Sequence, residues 1–176
     1  WRLAALRGLG QVQYGIGQIA EAEQLFRQAI ALGREIGLPA PEMIQLYHLL
    51  GDLKYWQSRW DEQIQLGEEG LALVGDQPES LEAALMNALV GWAYYQQGDW
   101  QTAGTYIFRN AEFVARLPYT EELRPAYIYI ALAYLLFKKD AEQALHWAEA
   151  FRRAAEEHHD LRASGNVYFD VLPVIR

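Results

Sequence analysis

The sequence predicts an all-α solenoid built from antiparallel helix hairpins. Three observations carry this. Gly10, Gly51 and Gly91 head similar segments 41 and 40 residues apart, and Tyr14, Tyr55 and Tyr95 keep the same separations. Self-similarity at a period of ~20–50 residues marks stacked arrays. Within each segment the apolar residues recur at spacings of three and four, the period of a helix face. At 52% hydrophobic residues the chain also has enough apolar side chain for a packed core.

The first unit reads Leu9-Gly10-Gln11-Val12-Gln13-Tyr14-Gly15-Ile16-Gly17, followed by Ala22, Phe26 and Ala29. The second reads Leu50-Gly51-Asp52-Leu53-Lys54-Tyr55-Trp56-Gln57-Ser58, with Pro39 and Pro41 ahead of it. Pro near a first turn removes no intrahelical hydrogen bond. Ser58-Arg59 interrupts the pattern, and Trp60, Ile64, Gly67, Leu71 and Val74 then mark a second helix, closed by Gly75-Asp76-Gln77-Pro78. The third unit reads Val90-Gly91-Trp92-Ala93-Tyr94-Tyr95-Gln96-Gln97-Gly98-Asp99-Trp100, then Ala103, giving helices over 81–97 and 100–117. A degenerate fourth copy spans 131–139, with Asp140 and Ala144 following. Pro125 either kinks its first helix or marks that helix's start. The alternation Tyr127-Ile128-Tyr129-Ile130 looks strand-like, but its Ala-rich flanks favour helix.

Mid-helix Gly costs ~1 kcal/mol relative to Ala. Gly10, Gly51 and Gly91 are explained if another helix passes at close backbone distance, and Ala22, Ala29, Ala103 and Ala144 suit the same role. Trp60 and Trp100, opening second helices, are expected to pack between helices.

Length and charge narrow the function classes. The 176 residues fit a single domain, 1–176, of the usual ~100–200 residues. A formal net charge of −8 argues against direct binding to nucleic acid, which needs Lys and Arg at phosphates. Cys is absent, so there is no disulfide framework, thiolate zinc site or Cys nucleophile. No run approaches the ~20 apolar residues of a membrane span. The chain therefore reads as cytoplasmic with no membrane partner, and its start at Trp1, inside an apparent helix, reads as an excerpt of a longer protein.

These units resemble the tetratricopeptide repeat: an apolar-Gly pair, an aromatic three or four residues on, a Gly-acidic turn, then spaced Ala and aromatic positions. The third unit matches best. Departures are Gln63 and Gly67, where the family prefers Ala and an aromatic, and Leu132, where it prefers a small residue. The units run over 3–38, 41–77, 79–117 and 120–158, with 161–176 as the first helix of a further unit or a cap. A period of 40 or 41, against the usual ~34, is similar to the repeat arrays of maltose-activator-like bacterial regulators. The resemblance implies a right-handed superhelix, a non-catalytic role and no cofactor.

In such a solenoid the first helices line the concave face. Measured from the stacking glycines, that face takes Arg7, Gln11 and Tyr14; Gln45, His48, Asp52 and Tyr55; Ala88, Trp92 and Tyr95; and Tyr129, Ala133 and Leu136. The expected groove is aromatic and mixed in charge, suited to a peptide or helix of another protein or of the parent chain. Ala at Trp92 and Tyr95 should weaken binding without unfolding the domain. The bland reading is that the tyrosines pack. Leu49 and Leu85 stand where a carboxylate clamp would place polar groups, so no clamp is expected. Two other readings stay open: a small-ligand sensor of a bacterial transcriptional regulator or signalling protein, and self-association through the solenoid ends.

Other chemistry is weakly supported. Gly8, Gly10, Gly15 and Gly17 do not spell a dinucleotide fingerprint, and no Gly-Lys-Ser/Thr occurs. Glu142, His146 and Glu149 share a helix face, but a metal site needs matching ligands on other helices. His158-His159-Asp160 reads as a helix end. Ser58, Ser80 and Ser164 lack the setting of a nucleophile. No catalytic, cofactor-binding or metal-binding residue is expected.

Overall fold

The computed structural model describes residues 1–75, 79–109 and 111–160, apart from the side chains of 112 and 113. The expected helix in 161–176 and the Asp76-Gln77-Pro78 stop lie outside the described residues. The helices are α1 (Arg2–Gly15), α2 (Ile19–Glu35), α3 (Ala40–Trp56), α4 (Trp60–Val74), α5 (Leu81–Gln97), α6 (Trp100–Arg109), the single turn α7 (Ala111–Val114), α8 (Arg124–Ala133) and α9 (Ala141–Glu157). They pair as the hairpins α1/α2, α3/α4, α5/α6 and α8/α9. Each hairpin packs on the next, and the first helices α1, α3, α5 and α8 lie side by side in that order.

Local chemistry sets the ends. Ser80 caps α5 by accepting from the Ala83 N–H at 3.1 Å. Asp140 caps α9 by accepting from the Gln143 N–H at 3.0 Å. Gly98 closes α5 at φ +84°, a left-handed conformation open to Gly without penalty, and Asp99 accepts from the Thr102 N–H at 3.1 Å. Pro125 does not kink a helix. A 3-10 turn over Glu121–Leu123 leads into α8, and Pro125 sits in that helix's first turn. The degenerate fourth copy continues α8 as a π-helix, Tyr134–Lys138, which ends at Lys139 with φ +54°.

The small residues sit where helices meet. A Cβ on Gly91 would lie 2.6 Å from Cγ1 of Ile107 and 3.2 Å from the Ala103 carbonyl oxygen. A Cβ on Gly51 would meet Cδ2 of Leu89, on the next hairpin, at 2.5 Å. Ala22, Ala29, Ala103 and Ala144 are fully buried. Gln63 also has a reason to depart from Ala: buried among α4 and α5, it donates to the Leu89 carbonyl at 3.1 Å.

Two cores result. Phe26, Met43, Ile44, Leu46, Leu50, Leu53 and Met86 form one between the first three hairpins. Ile107, Val114, Leu123, Ile130, Trp147 and Phe151 form the other beneath the last two. Burial of each large side chain contributes about 1.5–3 kcal/mol before entropy is counted. Trp60 packs against Tyr55, ring centres 5.7 Å apart, as expected. Trp100 does not pack: it is 63% exposed. It stands in the outward first turn of α6, where periodicity alone cannot separate an inner from an outer aromatic. At the N-terminal edge, Trp1, Leu9, Val12 and Ile16 form an exposed apolar row along α1.

Candidate functional site

The face formed by α1, α3, α5 and α8 carries two adjoining depressions. One, about 260 Å³, is lined by Arg7, Gln11, Gln45, His48, Leu49, Leu85 and Glu122. The other, about 190 Å³, is lined by Tyr14, His48, Asp52, Tyr55, Trp56, Gln63, Ala88, Leu89, Pro125 and Tyr129. His48 belongs to both, so together they form one groove across the hairpins.

Most of the residues expected on this face are brought together there. In the wider half Arg7 donates to Oε1 of Gln45 at 3.3 Å. In the narrower half the Trp56 indole N–H donates to the Tyr14 hydroxyl at 2.5 Å. Asp52 lies 3.7 Å from Nδ1 of His48, beyond hydrogen-bonding distance. Burial pushes the Asp52 carboxyl above its ordinary range, and His48 only partly offsets this. Burial also raises the Tyr129 hydroxyl well above the usual tyrosine value, with further pressure from Asp52, Tyr55 and Tyr14. Tyr14 is raised by burial and by Asp52, against the Trp56 hydrogen bond.

Trp92 and Tyr95 stand apart from both depressions. Trp92 is stacked on Tyr129, with ring centres 4.3 Å apart and planes 3° from parallel. Its other neighbour, Tyr95, is 4.8 Å away at 22°, and Tyr95 in turn meets Phe137 at 5.9 Å. This ladder ties α5 to α8 and to the π-helix. The expectation that Ala at Trp92 spares the fold therefore changes. Each stacked pair contributes about 0.5–1.5 kcal/mol beyond burial. From its two stacked contacts alone, Trp92→Ala is expected to lower the unfolding free energy by about 2 kcal/mol, read by urea denaturation. An unchanged midpoint would show that the ladder bears no load.

Ala133 is 2% exposed and offers no surface to a partner, because α8 turns that side into the core. Leu136 is exposed on the π-helix and lines neither depression. Trp56 was not expected in the groove. It follows Tyr55 at the end of α3, one residue off the predicted stripe; its indole donates to Tyr14 and meets the Tyr55 ring edge-on, centres 5.1 Å apart. Gln63 was noticed only as a departure from the repeat pattern; it reaches the pocket from the second helix of its hairpin.

Among the described residues no three His, Asp or Glu side chains are grouped to hold a metal ion. Glu149 pairs with Arg152 at 2.9 Å, and Glu142 and His146 are exposed. No described helix is long and apolar enough to cross a membrane.

No protein-family model matches the chain, and no curated protein matches it in sequence. Solved structures do. The Rap conjugation gene regulator of plasmid pLS20, in complex with the Phr* peptide, is similar at TM-score 0.77 and 16% identity over 94% of this chain. This chain spans 45% of that regulator's length. The TPR-like repeats of a kinesin light chain from Podosopora anserina are similar at TM-score 0.66 and 16% identity, covering 98% of this chain and 94% of that one. BtubC from P. vanneervenii is similar at TM-score 0.66 and 16% identity, covering 96% and 78%. The fold is the tetratricopeptide-type helical solenoid, and at these identities the likeness is one of fold.

Proposed function

We propose that the chain is a non-catalytic interaction domain that takes an extended peptide or a helix of a protein partner in the groove of α1, α3, α5 and α8. The observation that carries this is the joined pair of depressions at His48. Their walls are exposed polar side chains beside half-buried Tyr14, Tyr55 and Tyr129. Tyrosine gives large contact area for few frozen torsions, which suits a recognition surface. The peptide complex of the Rap regulator supports the same reading by analogy of fold.

Shape favours a peptide over a metabolite. The groove is divided into two adjoining depressions of about 190 and 260 Å³ that meet at His48. A side chain fits each one, and a backbone can run between them.

Random heptapeptides displayed on phage and selected on the purified chain test this. Enriched peptides, synthesised and titrated, are expected to lose at least about tenfold in affinity with Gln45→Trp, which blocks the wider half, or Tyr55→Ala, which opens the narrower one. That corresponds to ~1.4 kcal/mol. Equal affinity for both variants, with unchanged helicity, would remove the groove from consideration.

A further inference from the structure

We infer that the narrower half of the groove is a receptor for one basic side chain, Lys or Arg, of the bound peptide. The inference rests on the groove being the peptide site and names what its deepest part selects.

The pocket combines acceptors with aromatic walls, and none of its lining residues is Lys or Arg. Its acid, Asp52, has the His48 ring at 3.7 Å, beyond hydrogen-bonding distance, and no Lys or Arg partner among the described residues. Glu23, by contrast, collects Lys54, Arg27, Arg59 and Gln57. Asp52, in the groove, has no such set of donors among the described residues. A second acceptor is also unsatisfied. Gln63 is 98% buried, its amide N–H₂ is committed to the Leu89 carbonyl, and its Oε1 has no partner among the described residues. A buried acceptor without a donor is costly, and a ligand N–H is the group that relieves it.

The walls fit the same group. Tyr14, Tyr55, Trp56 and Tyr129 line the pocket. Their faces carry the negative end of the ring quadrupole and attract a cation. Burial first, and Asp52 second, raise the Tyr14 and Tyr129 hydroxyls, so both rings stay neutral. An acidic side chain would meet Asp52 as a like charge. A purely apolar one would fill the volume while leaving Asp52 and Gln63 Oε1 unpaired. An ammonium or guanidinium on an alkyl stem satisfies acceptors and aromatic faces together.

The same phage selection provides the test. Enriched heptapeptides are expected to share a Lys or Arg at one position. Replacing it by norleucine, which keeps the stem and removes the charge, is expected to weaken binding at least tenfold. Asp52→Asn is expected to abolish that discrimination while keeping the thermal midpoint, since Asp52 belongs to no close ion pair. Free n-butylammonium is expected to compete only at millimolar concentration, which separates a peptide side chain from a free amine as the source. If enriched peptides lack a shared basic residue yet lose affinity with Gln45→Trp, the groove stands and the cation pocket falls. If Asp52→Asn leaves the lysine-to-norleucine ratio unchanged, the pocket falls again. If selection enriches nothing, both readings fall.

Discussion

Glu23→Ala is expected to lower the unfolding free energy by about 3 kcal/mol, which in a chain of 150–250 residues moves the thermal midpoint down by roughly 6–12 °C. Glu23 on α2 receives the Lys54 ammonium at 2.5 Å, the Gln57 amide at 2.9 Å, Arg27 at 2.9 Å and Arg59 at 3.2 Å. Lys54 is completely buried. Without Glu23 it keeps Glu62 at 3.4 Å and Gln57 at 3.3 Å, and a desolvated ammonium is left with one partly exposed acid. Removing one member of a buried pair is more damaging than replacing both, because the survivor stays charged and dry. A double replacement, Glu23→Leu with Lys54→Met, is therefore expected to recover much of the loss.

The same carboxylate sets an acid limit. Burial alone would raise its pKa, but hydrogen bonds from Lys54, Gln57 and Arg27 outweigh this and hold it at about 2, against 4.5 for the free group. The folded value is depressed, so the contribution is fully present above the unfolded value. It fades as pH falls from about 4.5 towards 2. Urea midpoints of the wild type and Glu23→Gln should differ most near neutrality and converge on acidification. A gap independent of pH would show that the ion cluster does not carry the effect.

The contrast between this cluster and the groove shows what could be read from the chain. Gly10, Gly51 and Gly91 predicted the stacking because a small residue at a fixed period has one physical use, and each now faces Phe26, Leu89 or Ile107. Most groove positions followed from the same register, since residues at helical spacing from a stacking glycine share a face. What failed to show was anything assembled from three helices. Glu23, Lys54 and Glu62 sit on α2, α3 and α4, and nothing local marks them as partners. The failures inside the groove are of a finer kind. Ala133 is on the expected helix, but the π-helix that follows belongs to a unit whose register had already drifted from the repeat. Trp56 and Trp100 show that helical periodicity does not tell which way an aromatic at a helix end faces.

Asp160→Ala is expected to cost about 3 kcal/mol and to loosen the last hairpin first. Just beyond α9, the Asp160 carboxylate accepts from the Tyr119 hydroxyl at 2.8 Å, and the same oxygen lies 2.8 Å from Nε of Arg124. Its side chain is 5% exposed and that of Arg124 is 18% exposed. Burial first, then the Asp160 hydrogen bond, pushes the Tyr119 hydroxyl well above its usual pKa, so it remains a donor at any working pH. This clasp joins the end of α9 to the turn that opens α8. That turn carries Glu122, Pro125 follows in the first turn of α8, and each lines one half of the groove. Loss of the carboxylate leaves Arg124, among the described residues, with the exposed Glu121 as its ion-pair partner. Since hairpins in a solenoid contact only their neighbours, the damage should stay local. Hydrogen exchange is expected to speed up in α8 and α9 and to stay slow in α3 and α4. Asp160→Asn keeps an acceptor for Tyr119 and should cost about half as much, since a neutral hydrogen bond is roughly half as strong as a charge-assisted one. Uniform acceleration across all hairpins would mean that the array unfolds as one unit, and peptide affinity at Gln45 and Tyr55 could then not be tuned from the far end.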